Sequence, residues 1–299
     1  MGKIILMNPS KNSWNDGYII HSGKSENSLN KTTLFSNKNG ILPNQKRLNL
    51  NFNKFKELLI SLNFDIEILD YPNQLLNQEN KNYDAVFIRD SGFMFKKNWI
   101  EANFAVKERK TESKVISKII KNKFSKEIIT LPNDALIEFG EVTYIKASNG
   151  SFYFGGLSRA NKKAHNIIKK IINPDHFILL NSKGYHLDTV FSYLLNKNNK
   201  LVALIVAKNM FEKNSIEKLK KLKIKLIYVD NKDSCDIDGL GNYAINSLIG
   251  KGLIISGSNF TTVNFYKELS KLGIKFYRID LIDFNNAGGS VHCLTNQFN

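Results

Sequence analysis

The stretch KKAHNIIKKIINPDHFILLNS, residues 162–182, reads as two elements in immediate succession. Ile167, Ile168, Ile171 and Ile172 recur at helical spacing, with lysines on the opposite side. After Asn173-Pro174 the pattern switches to the compact, strand-like run FILL. Four more segments repeat this helix-then-strand unit. They are KFKELLISLNFDIEILD at 54–70, KVISKIIKNKFSKEIITLPND at 114–134, KNSIEKLKKLKIKLIYVD at 213–230 and VNFYKELSKLGIKFYRID at 263–280. A unit recurring five times decides the architecture before any single motif does.

Each unit runs on into a further apolar stretch that reads as a strand. These are YDAVFIRDSGFMF (83–95), ALIEFGEVTYI (135–145), GYHLDTVFSYLL (184–195), NYAINSLI (242–249) and AGGSVHCLTNQF (287–298). The first four are followed by turn signals at 96–98, 148–150, 196–199 and 250–252, and then by one more strand. The fifth has no hairpin partner downstream, and KIILMN at 3–8 is the natural substitute. The expected fold is therefore α/β: a five-bladed α/β propeller with pseudo-fivefold symmetry, closed by the N- and C-terminal strands. Residues 1–299 are expected to form one catalytic domain. A doubly wound sheet would instead alternate strand and helix without hairpins. Residues 9–45 lie outside the scheme as a long polar segment, either a lid over a site or a solvated excursion.

Composition narrows the function classes. Hydrophobic residues make up 42% of the 299 and charged residues 23%, enough apolar material for a sizeable core. No apolar run reaches the ~20 residues of a membrane helix, and the N-terminus lacks a signal-peptide pattern. A cytoplasmic protein with no membrane partner is expected. The formal net charge of +16 invites a nucleic-acid reading. Its lysines, however, are spread over the chain, and aromatic residues are not interleaved with them as a stacking groove requires. The densest stretch, 107–126, reads as the wet face of a helix. No nucleic-acid partner is expected. The two cysteines, Cys235 and Cys293, make no disulfide framework, and no ligand spacing suggests a metal.

Chemistry-bearing residues recur at one phase of the repeat. Glu138 stands 48 positions after Asp90, and His186 stands 48 after Glu138. Asp188 follows in His186-Leu187-Asp188, and Cys293 closes GGSVHC. In a ring of repeats, equivalent positions converge on the axis. A thiol needs a base or a positive neighbour to ionise near neutral pH, and His186 is the histidine with an acid at i+2. On a strand that pair shares a face. Cys235, His165 and His176 read as structural or exposed, and His292 as pointing away from Cys293. Converging carboxylates repel one another unless a cation arrives. A planar guanidinium, with five N–H donors, matches a pair of them.

At these residues the sequence resembles the guanidino-modifying enzyme superfamily, the pentein fold. It includes arginine deiminases, agmatine deiminases, dimethylarginine dimethylaminohydrolases and amidinotransferases. The resemblance spans essentially the whole chain. It implies that Cys293 is the nucleophile, His186 the general acid/base, and Glu138 the acid that orients it. It further implies that Asp90 and Asp188 bind the guanidinium. The reaction implied is hydrolysis of arginine, or of a substituted or decarboxylated arginine, through a covalent S-alkylthiouronium. A ureido product and ammonia or an alkylamine result, with no cofactor. Three features depart from family patterns. The usual Glu-Gly-Gly-Asp is Glu138-Phe139-Gly140-Glu141 here. Dimethylarginine-specific members usually have Lys at the position of Asp188 and Glu at that of Arg89. Amidinotransferases tend to have Asp at the position of Glu138. The alternatives are amidino transfer to an acceptor amine and a non-enzymatic binding protein on the same fold. Oligomeric state is not legible.

Overall fold

The structure, a computed structural model, describes residues 2–11, 41, 44–77, 82–236 and 238–298. The candidate lid at 9–45 falls, for residues 12–40, 42 and 43, outside the described residues. The chain divides into two compact units, residues 1–139 with 281–299, and residues 140–280.

In the first unit, β1 (Lys3–Met7) precedes α1 (Gln45–Ser61) and β2 (Asp65–Leu69). The hairpin of β3 (Gly92–Phe95) and β4 (Asn98–Glu101) then leads into α2 (Lys110–Phe124) and β5 (Glu127–Ile129). The second unit runs through this hairpin–helix–strand pattern three times. It contains β6 (Val142–Ala147), β7 (Gly150–Gly156), α3 (Lys162–Ile172) and β8 (His176–Leu180). Next come β9 (Phe191–Leu195), β10 (Leu201–Ala207), α4 (Lys213–Lys220) and β11 (Lys225–Val229). The third copy is β12 (Leu248–Gly250), β13 (Leu253–Ser256), α5 (Phe265–Lys271) and β14 (Lys275–Arg278). The chain returns to the first unit with α6 (Ile282–Asn286) and β15 (Thr295–Gln297).

Among the described residues the strands form five three-stranded sheets. In each, the middle strand pairs antiparallel with one neighbour and parallel with the other. The parallel partner lies beyond a helix, because parallel strands need a crossover long enough to hold one. The fifth sheet is completed by the chain's two ends: β1 pairs antiparallel with β15, Ile4 opposite Gln297 and Leu6 opposite Thr295. The expected five α/β blades and terminal pairing are thus present, and a doubly wound sheet is excluded.

Local chemistry explains the element ends. Asn161 caps α3 by accepting from the Ala164 amide at 3.0 Å. The helix stops where Asn173 turns left-handed at φ 51° and Pro174 follows. Its Ile168 and Ile172 are buried while Lys169 and Lys170 face water. The first helix starts at Gln45, well before the repeat is visible in the sequence. Leu48, Phe52, Phe55 and Leu59 make its buried face, but interleaved asparagines conceal that periodicity.

His165, expected to be structural or exposed, lies fully buried on α3. Its Nε2 lies 2.6 Å from the Gly156 carbonyl, and its Nδ1 lies 2.7 Å from the Tyr153 hydroxyl. A carbonyl only accepts, so Nε2 carries the proton and Nδ1 accepts from Tyr153. Burial lowers its pKa from 6.5 to about 4. The unfolded chain therefore takes up a proton at this position before the folded one does. Its contribution is fully present above pH 6.5 and is lost as pH falls towards about 4. The loss amounts to about 3 kcal/mol. Denaturant midpoints measured between pH 7.5 and 4.5 should fall accordingly. His165→Gln, whatever its own cost, should flatten that dependence, and an unchanged slope would count against it.

Candidate active site

The sequence reading placed the special residues on strands; the structure places them just ahead of strands. Asp90 lies in a turn before β3, and Glu138 directly precedes a short 3₁₀ turn, Phe139–Glu141, leading into β6. His186 immediately precedes another, Leu187–Thr189, ahead of β9, and Cys293 lies in the turn before β15. His186 and Asp188 therefore do not share a strand face, and in a 3₁₀ turn it is i and i+3 that share a side. Polar side chains suit these turns, whose backbone groups the sheet ladders do not satisfy.

In the first unit, backbone bonds gather Cys293, Asp90 and Glu138. Cys293 is 2% exposed. Its turn is closed by the Leu294 amide on the Ser290 carbonyl at 3.1 Å and the Thr295 amide on the His292 carbonyl at 3.1 Å. Gly288, at φ 96°, swings the chain out of α6. A Cβ on Gly289 would stand 2.4 Å from the Phe87 ring, so only glycine permits that approach. The Arg89 amide donates to the Cys293 carbonyl at 3.1 Å, placing the next residue, Asp90, beside the thiol's backbone. The Asp90 carbonyl in turn accepts from the Phe139 amide at 3.2 Å, adjacent to Glu138. Glu138 is fully buried and Asp90 is 4% exposed.

Behind Asp90 lies an ion-pair network that the sequence reading missed. Arg109 Nη1 donates to Asp90 Oδ2 at 2.7 Å. Its Nε and Nη2 donate to the two oxygens of Glu112 at 2.8 and 2.7 Å. Ser91 Oγ and Asn82 Nδ2 also donate to Glu112, at 2.7 and 2.9 Å. The Arg109 guanidinium lies 4.7 Å over the ring of Phe104. Burial alone would lower the pKa of Arg109, but Glu112 and Asp90 outweigh it and hold the group well above its ordinary value. Burial likewise pushes the Glu112 carboxyl up against the pull of Arg109. Stretch 107–126 is thus only half a wet face: Arg109, Glu112, Ser113, Ile116, Ser117 and Ile120 are buried. The one available signal was Arg109 and Glu112 at i, i+3, lost among solvated lysines.

In the second unit, Glu141 organises the approach to His186. One carboxylate oxygen accepts from the Leu187 amide at 2.9 Å, and the other accepts from the Arg159 amide. Glu141 is fully buried, and a Cβ on Gly156 would stand 1.9 Å from its Oε2. The residue in place of the usual Asp therefore fixes the backbone immediately after His186. Thr189 Oγ1 donates to the His186 carbonyl at 2.8 Å, and Asn246 Nδ2 to the Asp188 carbonyl at 3.2 Å. His186 and Asp188 are 1% and 2% exposed. Tyr185 lies beside His186 with ring centres 5.0 Å apart and the rings tilted by 46°, and the Arg159 guanidinium lies 5.1 Å over Tyr185. The buried Cys235 donates its amide to the Thr189 carbonyl at 3.0 Å. It backs the histidine turn.

Chemically, the first unit holds a buried thiol and two buried carboxyls within one backbone network, and the second holds an imidazole and a carboxylate on one turn. No curated protein matches the sequence. The family model for N,N dimethylarginine dimethylhydrolase, eukaryotic, matches residues 23–298. Among solved structures, the N-terminal domain of ArgZ, an arginine dihydrolase from the ornithine-ammonia cycle in cyanobacteria, is 20% identical in its product-bound form. The TM-score is 0.76, covering 100% of this chain and 97% of that one. A variant of that domain covalently bound to a reaction intermediate matches equally, at 20% identity and a TM-score of 0.76, over 100% of this chain and 98% of that one. A mutant DDAH from Pseudomonas aeruginosa, complexed with citrulline, is 16% identical, with a TM-score of 0.71 over 99% of each chain. These likenesses extend over the entire fold.

Proposed function

The chain belongs to the N,N dimethylarginine dimethylhydrolase family, within the guanidino-modifying superfamily, and from that premise we propose that it hydrolyses free arginine or an N-substituted arginine at the guanidinium carbon. Its class of activity is hydrolysis of guanidino compounds. The finer reading assigns Cys293 as nucleophile, His186 as general acid/base, Glu138 as the residue orienting it, and Asp90 and Asp188 as guanidinium ligands. It requires both compact units to act as one catalytic domain. The observation that carries it is the backbone link between Cys293 and Arg89-Asp90, which joins a buried thiol to a buried carboxylate across distant parts of the sequence.

The cationic substrate favours the thiolate by charge. The thiolate attacks the guanidinium carbon, and His186 gives its proton to the departing ammonia or alkylamine as the C–N bond breaks. A covalent thiouronium remains, in line with the covalent intermediate held by ArgZ. His186 then takes a proton from water, the hydroxide adds to the same carbon, and the C–S bond breaks to release the ureido product and the thiolate. A reducing, cytoplasmic setting suits a free thiol in this role.

The test is an assay for ureido product and released amine over arginine, methylated arginines, agmatine and a peptidyl arginine, without any acceptor amine. Turnover of a free arginine is the expected result. Product only when an acceptor amine is supplied would replace hydrolysis by amidino transfer, and no product from any of the four would overturn the assignment.

A further inference from the structure

Asn296, in the middle of β15, is fully buried. A buried amide is costly to keep in a strand unless it is bonded. Its Nδ2 donates to two carbonyls of a single turn, that of Ile88 at 3.2 Å and that of Gly92 at 2.8 Å. Ile88 lies two residues before Asp90 and Gly92 two residues after it, while Asn296 stands three residues after Cys293. One side chain thus ties the segment of the thiol to both ends of the turn that carries the carboxylate. All of these residues belong to the first unit.

Other contacts hold the same turn at single points. The Arg89 amide donates to the Cys293 carbonyl, and the Asp90 amide donates to the Phe87 carbonyl at 3.1 Å. The Ala102 amide donates to the Ser91 carbonyl at 3.1 Å. Gly92 lies against the indole of the buried Trp99, where a Cβ would stand 2.3 Å from the ring. Each of these fixes one place in the backbone. The amide of Asn296 spans the turn from end to end, and so sets its tilt towards Cys293. A misplacement of about 1 Å at a reacting centre can cost about 100-fold in rate.

We infer that Asn296 is a positioning residue that sets the Asp90 carboxylate relative to the Cys293 thiol, and through it the preference for a charged guanidinium. The inference rests on the role proposed above for Asp90. Asn296 acts through the turn and not on the substrate itself. An amide of purely structural value would, when lost, weaken every ligand alike. Loss of a positioning amide weakens the cation selectively, because the misplaced group is a carboxylate.

Arginine and citrulline share their amino-acid end and differ at the reacting group, cationic in one and neutral in the other. Calorimetry with both ligands on Cys293→Ser protein, which does not consume arginine, reads that difference. Charge-assisted bonds favour the cation, so this protein should bind arginine at least about tenfold more tightly than citrulline. Adding Asn296→Leu, similar in size but without the amide, should cut that ratio about tenfold and leave citrulline affinity within about twofold. Asp90→Asn should cut the ratio as far, and the two changes together no further than either alone. Should Asn296→Leu misfold, Asn296→Ser, which also lacks the amide, replaces it. A folded Asn296 variant that keeps the ratio, or losses that simply add in the double variant, would overturn the inference and leave the role of Asp90 standing. No preference for arginine at the outset, or an unchanged ratio in Asp90→Asn, would overturn the role of Asp90 and the inference with it.

Discussion

Cys293→Ser is expected to lower turnover by roughly four to six orders of magnitude, the range seen when a nucleophile is removed from a cooperating catalytic set. The change replaces sulfur by oxygen in a side chain that is 2% exposed, so the turn and its backbone bonds should persist. What is lost is reactivity: a thiol near neutral pH is poised to ionise beside a cation, and a hydroxyl is not. Single-turnover and steady-state assays with the best substrate of the panel would measure the change. The companion variant, His186→Ala, should form the covalent adduct more slowly, because the departing amine loses its acid, and break it down more slowly still, because water loses its base. Mass spectrometry of the quenched enzyme should find that adduct on the peptide containing Cys293. Substantial activity in Cys293→Ser, or normal product formation by His186→Ala, would refute the roles assigned to them.

Glu112→Ala is expected to cost about 3–5 kcal/mol of stability, because it breaks a buried ion pair and leaves the other charge behind. Arg109 would keep Asp90 but lose both bonds to Glu112, and Ser91 and Asn82 would lose their acceptor. Half-hidden lysine pairs such as Lys3 with Glu67 offer the contrast. Their contribution, screened by water and salt, should be small. Denaturation midpoints of the two variants, Glu112→Ala and Glu67→Ala, measure the difference directly. A Glu112→Ala protein as stable as the parent would show that the network is not a structural anchor. Activity should fall along with stability, since Arg109 also holds the oxygen of Asp90.

Much of this molecule was legible in the chain itself. Helix-then-strand periodicity repeated five times, with hairpin turns between, specified the blades, because burial of one apolar face has a fixed period in each element. The missing hairpin of the last repeat specified the pairing of Lys3–Met7 with Thr295–Gln297. Repeat phase alone made Asp90, Glu138, His186 and Cys293 candidates for the site. Tertiary structure decided what local pattern cannot carry. It put those residues on turns rather than strands, since polar groups at the mouth of a sheet follow the backbone's unmet hydrogen bonds and not alternation. It also chose Arg109, Glu112 and Glu141 for burial. A charge looks the same in sequence whether it faces water or a partner, and Asp90, Ser91 and Asn82 are brought to the Arg109–Glu112 pair from another part of the fold.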